Sequence, residues 1–241
     1  MSTGTVMGRE SRTPAKNVAV IDRSAGIGGL CFAAVLLADN IIRARAPGFD
    51  AAPAQVAAYF LNNRVAAIVP LGLFPVGLLA LLPFTAGVWT RARQEESLWW
   101  ASTGALGAAA IVALFGVVNI TEIVLTAKAA QLAASPAVIQ ALWTLRAAAF
   151  GLDMGAIAVA LIGLSRAAAS LSLIPAWLAV AALPGAACLT IASIFTVALA
   201  DGGPWLPVGV AGFIVWLLFV VAASISLLRS RQIPFHPANP D

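Results

Sequence analysis

Long apolar stretches alternate with short polar joints along almost the whole chain. Six of these stretches reach the roughly 18 residues that a helix needs to cross a hydrocarbon layer about 30 Å thick. They are predicted at residues 24–42, 65–90, 97–126, 136–165, 172–200 and 205–229. Barrel strands would alternate apolar and polar residues, and segments such as 213–221 do not. The pattern therefore predicts an all-α fold, a polytopic membrane bundle of six transmembrane helices.

The two ends of the chain lie outside this bundle. Residues 1–20 are polar and are expected to form a disordered cytoplasmic tail, and residues 231–241 are expected to form a second cytoplasmic tail. Between them, residues 21–230 are expected to form a single membrane domain. The first apolar stretch also has the length of a signal peptide, but the five further spans favour an uncleaved helix.

The longest joint, residues 43–64, carries its own helical signal. Pro53 suits the first turn of a helix, and Val56, Tyr59 and Phe60 fall on one side of it. This short helix is expected either to lie on the outer leaflet as an interfacial segment or to form a lid over a cavity.

Basic residues are distributed unevenly between the two sides of the predicted membrane. With the N-terminus inside, nine of the 14 lysines and arginines lie on the inner side and five on the outer side. This bias predicts that both termini are cytoplasmic. The net charge of +4 then indicates contact with anionic lipids of the bilayer, and no basic stripe points to nucleic acid. The excess of arginine over lysine fits a bacterial protein, and we expect it in the inner (plasma) membrane.

Several kinds of chemistry lack the residues they need. The only histidine is His236, in the C-terminal tail, so a haem held by two histidines within the bundle, a His-Glu-x-x-His zinc site and an intramembrane Ser–His dyad are excluded. Cys31 and Cys188 lie in different spans without a C-x-x-C motif, and we expect them to be buried small hydrophobes. We therefore expect no cofactor, no metal site and no enzyme activity.

Ionisable residues within membrane spans are costly and are functional candidates by default. The candidates are Asp39, Glu122, Arg146 and Asp153, with Asn119 beside Glu122 on the third span. One hypothesis points Glu122 at Arg146 with Asp153 beneath, forming a small polar chamber that is open to the outside. In the alternative, Asp39, Glu122 and Arg146 extend to the headgroups and only hold the bundle in register.

Small residues and prolines indicate how the helices pack. The fourth span carries a stripe of small residues that allows close helix approach, formed by Ala147, Gly151, Gly155 and, nearer the inner end, Gly163. Pro83 and Pro184 are predicted to kink the second and fifth spans. Broken helices of this kind are typical of binding sites in transporters.

Short segments also carry a family resemblance. They are Arg23-Ser24-Ala25-Gly26, residues 54–64, Ala141-Leu142-Trp143, residues 173–179 and residues 225–229. Together they resemble the DUF4386-like group of bacterial integral membrane proteins, over about residues 20–230. The resemblance implies a six-span bundle with its N-terminus inside, and it supplies no catalytic residues because the group has no established activity. The chain departs from the group's pattern at Ala176 and at Asp153.

Three functions remain open from the sequence. The first is a structural, assembly or stress-related membrane protein without chemistry, which would bind a membrane-protein partner or a second copy of itself, with the face of Gly151 and Gly155 as one contact surface. The second is a small-molecule or ion-coupled transport module built around Asp153. The third is an intramembrane enzyme that modifies lipid. A solvated cavity reaching Asp153 would favour the second.

Overall fold

The computed structural model describes residues 14–93 and 97–229, with side chains described from residue 20. These residues form eight helices, α1 (Pro14–Arg43), α2 (Pro53–Asn62), α3 (Arg64–Ala92), α4 (Leu98–Leu132), α5 (Pro136–Ser170), α6 (Ala176–Ile194), α7 (Thr196–Ala200) and α8 (Leu206–Arg229). Six of them, all except α2 and α7, are long and apolar enough to cross a membrane. The prediction of an all-α, six-span membrane bundle is confirmed. The orientation of its termini stays a prediction.

The bounds of several helices differ from the predicted spans, most clearly at the start of the first and within the fifth. The first helix begins at Pro14, so residues 14–20 are helical where a disordered tail was expected. The fifth span is not one helix, because the backbone leaves the helical region at Phe195 and separates α6 from α7. The Thr196 hydroxyl donates to the Ser193 carbonyl at this point, a local hydrogen bond that competes with the helix ladder. The predicted second tail at 231–241 and His236 lie outside the described residues.

The six long helices form a closed ring. Each packs against the next in chain order, from α1 to α3, α4, α5, α6 and α8, and α8 packs back against α1. The most buried is α5, with 67% of its apolar stretch covered by the rest of the protein against at most 39% for the other five. The lipid-facing sides of those five helices carry large apolar residues such as Leu79, Leu106 and Ile194. Cys31 is also exposed, so the expectation that it is buried was wrong.

The small-residue stripe on α5 is occupied within the chain. A Cβ on Gly163 would overlap the backbone of Gly104 on α4, which shows how closely these two helices approach. Gly151 faces Thr196 of α7, and Gly155 faces Ser193 of α6. The face of Gly151 and Gly155 is therefore covered by the protein's own helices, and a partner protein would have to use another surface.

An ion pair ties α1 to α3 at the end of the bundle where α1 enters it. The guanidinium of Arg91 donates from Nε and Nη2 to the two carboxylate oxygens of Asp22, at 2.7 and 2.6 Å. Such a bidentate pair fixes geometry as well as charge. Neither residue was a candidate from the sequence, because both lie at the predicted edges of spans.

Because α4 and α5 approach so closely, replacing a glycine at their contact with alanine should destabilise the protein more than the same replacement at an open position. Gly163→Ala forces the two backbones apart and should lower stability by about 1–3 kcal/mol. The matched control is Gly72→Ala on α3, where a Cβ meets nothing within 4 Å. Thermal unfolding of both variants in detergent, followed by size-exclusion chromatography, measures the difference. Equal melting temperatures would contradict the packing described here.

Candidate functional site

Three helices bring charged side chains together at the other end of the bundle. The Arg43 guanidinium of α1 donates to Asp39 Oδ2 at 2.8 Å and to Glu122 Oε2 of α4. It also donates to Asn119 Oδ1 at 3.2 Å. Arg146 of α5 donates from Nε to Glu122 Oε1 at 2.6 Å. Glu122 thus accepts from two arginines, one on each oxygen, and links α1, α4 and α5.

This ion cluster is buried and electrically balanced. Asp39, Glu122 and Arg146 are only 3–6% exposed, and the two arginines match the two acids in charge. Aromatic rings complete the surroundings, with the Arg43 guanidinium 5.3 Å from the Phe115 centroid and that of Arg146 4.4 Å from the Trp143 centroid. The side chains therefore pair inside the protein instead of extending to the headgroups.

Asp153 stands apart from that cluster. It lies two turns along α5 from Arg146 and is 4% exposed. No described residue forms an ion pair with it, and its Oδ1 has no hydrogen-bond partner. Asp153 therefore takes no part in the pairing of Glu122 with Arg146. The carboxyl group instead lines a cavity.

The cavity lies at the centre of the helix ring and has a volume of about 90 Å³. All six long helices contribute to its wall. At the roughly 30 Å³ that a water molecule occupies in the liquid, it has room for about three waters or one small organic molecule. Most of the wall is apolar, and the aromatic side chains in it are Phe32, Phe74, Phe115, Phe150, Phe213 and Trp216.

Three polar atoms at this cavity lack a partner. They are Oδ1 of Asp39, Oδ1 of Asp153 and Nε1 of Trp216. Asp39 belongs to both features, because its other oxygen accepts from Arg43 in the ion cluster. Buried polar atoms are normally hydrogen-bonded. The unsatisfied atoms of the wall therefore mark it as a candidate binding site.

The arrangement differs from the polar chamber expected from the sequence. Glu122 and Arg146 do meet, but neither they nor Asn119 line the cavity. The charged cluster and the cavity are neighbouring features that share Asp39. The opening of a chamber toward the outside stays a prediction, as do the kinks at Pro83 and Pro184, which lie within α3 and α6.

The joint between α1 and α3 covers the cluster end of the bundle. The Trp143 indole donates to the Gly48 carbonyl at 3.0 Å. The Phe49 ring lies 5.4 Å from that of Phe150, which lines the cavity. Burial and, to a smaller extent, the nearby Glu122 raise the pKa of Tyr59 on α2. The joint therefore packs against this end of the bundle, and both interpretations of it, an interfacial segment and a lid over a cavity, stay predictions.

Two members of the site were missed from the sequence. Arg43 was assigned to the outer joint, although its spacing of four residues from Asp39 is the spacing of a helical ion pair. Trp216 gave no signal, because tryptophan is common in membrane helices and only the fold reveals its unpartnered Nε1.

Comparisons with known proteins do not extend this description. Searches against protein-family models, curated proteins and solved structures find no match to the chain. The resemblance to the DUF4386-like group therefore stays a prediction. The fold and the site define a multi-pass membrane protein with a central cavity.

The ion cluster predicts a large effect for its central acid. Glu122→Gln leaves Arg43 and Arg146 buried without their shared carboxylate, and it should lower stability by about 3 kcal/mol or more. The control is Asp201→Asn, an isosteric change at an exposed position. Thermal unfolding in the same detergent compares the two. A melting temperature for Glu122→Gln as high as that of the control would contradict the cluster.

Proposed function

We propose that this chain is a transport or permeation module in which a small ligand occupies the central cavity. The observation that carries the proposal is a cavity lined by all six long helices with an unpaired, buried carboxyl group, that of Asp153, in its wall. Membrane proteins of this general kind bind substrates between helices, away from both surfaces.

Asp153 supports the proposal because its burial costs free energy and forms no ion pair with any described residue that would stabilise the fold. A buried polar group without a partner costs free energy. The carboxylates of the ion cluster offset that cost by pairing with arginines, whereas Asp153 has no such partner in the described residues. A residue that is unfavourable for stability is expected where function requires it. The missing partner is then a proton or a ligand.

Asp39 connects the cavity with the ion cluster that joins α1, α4 and α5. One of its oxygens accepts from Arg43, and the other is unpartnered in the cavity wall. A ligand that engages the free oxygen competes with Arg43 for the charge of this carboxylate. Occupancy of the cavity would in this way alter the contact of α1 with α4 and α5, a differential interaction of the kind that shifts a conformational equilibrium.

A structural or assembly role is the second candidate, and the balanced ion cluster favours it because it ties three helices together. A partner or a second copy would bind on the lipid-facing surface, since the glycine face of α5 is covered. Neither proposal includes a chemical step, so the chain is proposed not to be an enzyme. The membrane concerned is proposed to be a bacterial inner membrane.

The stability of Asp153 variants distinguishes a ligand-binding role from a structural role. If Asp153 serves a ligand, Asp153→Leu should leave the melting temperature in detergent unchanged or raise it, because it removes a buried polar group without a partner. Asp153→Asn, which keeps a polar group and removes only the charge, should leave the melting temperature close to that of the parent protein. Glu122→Gln, by contrast, is expected to lower the melting temperature. A loss of stability in both Asp153 variants as large as that of Glu122→Gln would show that the acid is structural.

Access to the cavity tests transport itself. In a background of Cys31→Ala and Cys188→Ala, Met154→Cys places a thiol in the cavity wall. Leu152→Cys, one residue to the other side of Asp153, places a control thiol on the exposed side of α5. The reagents are membrane-impermeant methanethiosulfonates, applied to intact spheroplasts and to inverted vesicles.

A transport cavity must be reached from both sides of the membrane. We therefore expect the thiol of Met154→Cys to react in both preparations and that of Leu152→Cys, at the same depth but against lipid, to react in neither. Reaction of Met154→Cys from one side only would indicate a blind pocket, and reaction from neither side would indicate a sealed void. Either result would overturn the transport proposal.

A further inference from the structure

The charges around the cavity do not balance. The four charged residues of the ion cluster, Asp39, Arg43, Glu122 and Arg146, sum to zero. Asp153 adds a carboxyl group with no positive partner in the described residues. Among the described residues, none that lines the cavity is basic. A ligand that brings a positive charge would pair with Asp153, whereas an anionic ligand would meet two carboxyl groups and no basic side chain among the described residues.

The aromatic wall favours the same sign of charge. Six aromatic side chains line the cavity, and the face of an aromatic ring attracts a cation, most strongly where water is excluded. Two of these rings already lie near each other, with the centroids of Phe32 and Trp216 at 6.3 Å. Carboxyl groups combined with aromatic faces are the features by which proteins recognise ammonium groups.

The composition of the wall distinguishes an organic cation from a metal ion. Hard metal ions require about six or more oxygen ligands. The cavity offers the carboxyl groups of Asp39 and Asp153, and the described residues contain no group of three or more side chains suited to a metal. Apolar rings would leave a metal ion poorly solvated, but they match the methyl or methylene groups of an organic ammonium ion.

We propose that the cavity binds a small organic ammonium ion, with its charge against Asp153 and its apolar groups against the aromatic wall. This inference rests on the proposed function, because the ligand must be able to enter. The indole N–H of Trp216, which has no acceptor in the structure, is available to an oxygen of the ligand. The volume of about 90 Å³ limits the ligand to a small molecule.

The experiment compares two thiol reagents at Met154→Cys in the cysteine-free background. One methanethiosulfonate carries a trimethylammonium group and the other a sulfonate group, and each rate is divided by its rate with a free thiol in solution. We expect the cationic reagent to react about tenfold faster or more at the cavity thiol. Asp153→Asn should bring this ratio close to one.

Competition provides a second measurement that needs no change at Asp153. Tetramethylammonium should slow the reaction of Met154→Cys with the cationic reagent, and tert-butanol, a neutral molecule of similar shape, should not. This arm remains informative if the Asp153→Asn variant fails to fold.

The outcomes separate the two proposals. Equal normalised rates for the two reagents, a faster reaction of the anionic reagent, or a ratio that Asp153→Asn leaves unchanged would overturn the organic cation while leaving an accessible cavity. The same holds if tetramethylammonium and tert-butanol protect equally. If neither reagent reacts, both the proposal of an accessible cavity and the proposal of an organic ammonium ligand are overturned.

Discussion

The absence of water from the hydrocarbon layer is the constraint on which this structure depends. Polar groups there must find partners within the protein or leave the layer. The ion cluster shows the first solution, since Glu122 accepts from Arg43 and from Arg146 and so joins three helices. Asp153 shows neither solution, because it is buried and has no partner among the described residues. That contrast within one bundle is the reason to assign Asp153 a ligand.

Close packing and the cavity have a common origin in the helix ring. Where glycine faces backbone, as Gly163 does with Gly104, the helices approach closely. Where phenylalanine and tryptophan side chains meet at the centre of the ring, they leave a space of about 90 Å³. Small residues thus define the contact between α4 and α5, and large rings define the wall of the site. Asp39 connects the two regions, because it belongs to the ion cluster and to the wall.

The number of spans was predictable because it depends on a local quantity, the length of each apolar run, and the short helix in the joint followed from its own pattern. The break at Phe195 was not predictable, since hydroxyl residues such as Ser193 and Thr196 beside it also occur within unbroken helices, as Thr190 and Ser224 do. The meeting of Glu122 with Arg146 was foreseen as a hypothesis. The part played by Arg43 and the separation of Asp153 from that pair were not, because sequence periodicity places residues on faces without showing which faces meet.

The most direct test of the central claim is a cryo-electron microscopy structure of the chain in a lipid nanodisc, at a resolution that shows ordered water. The account predicts density for water or a ligand beside Asp153, within a space enclosed by the six long helices, and a Glu122 carboxylate between two arginines. A structure in which Asp153 pairs with a basic residue of the chain, or in which side chains fill that space, would contradict it.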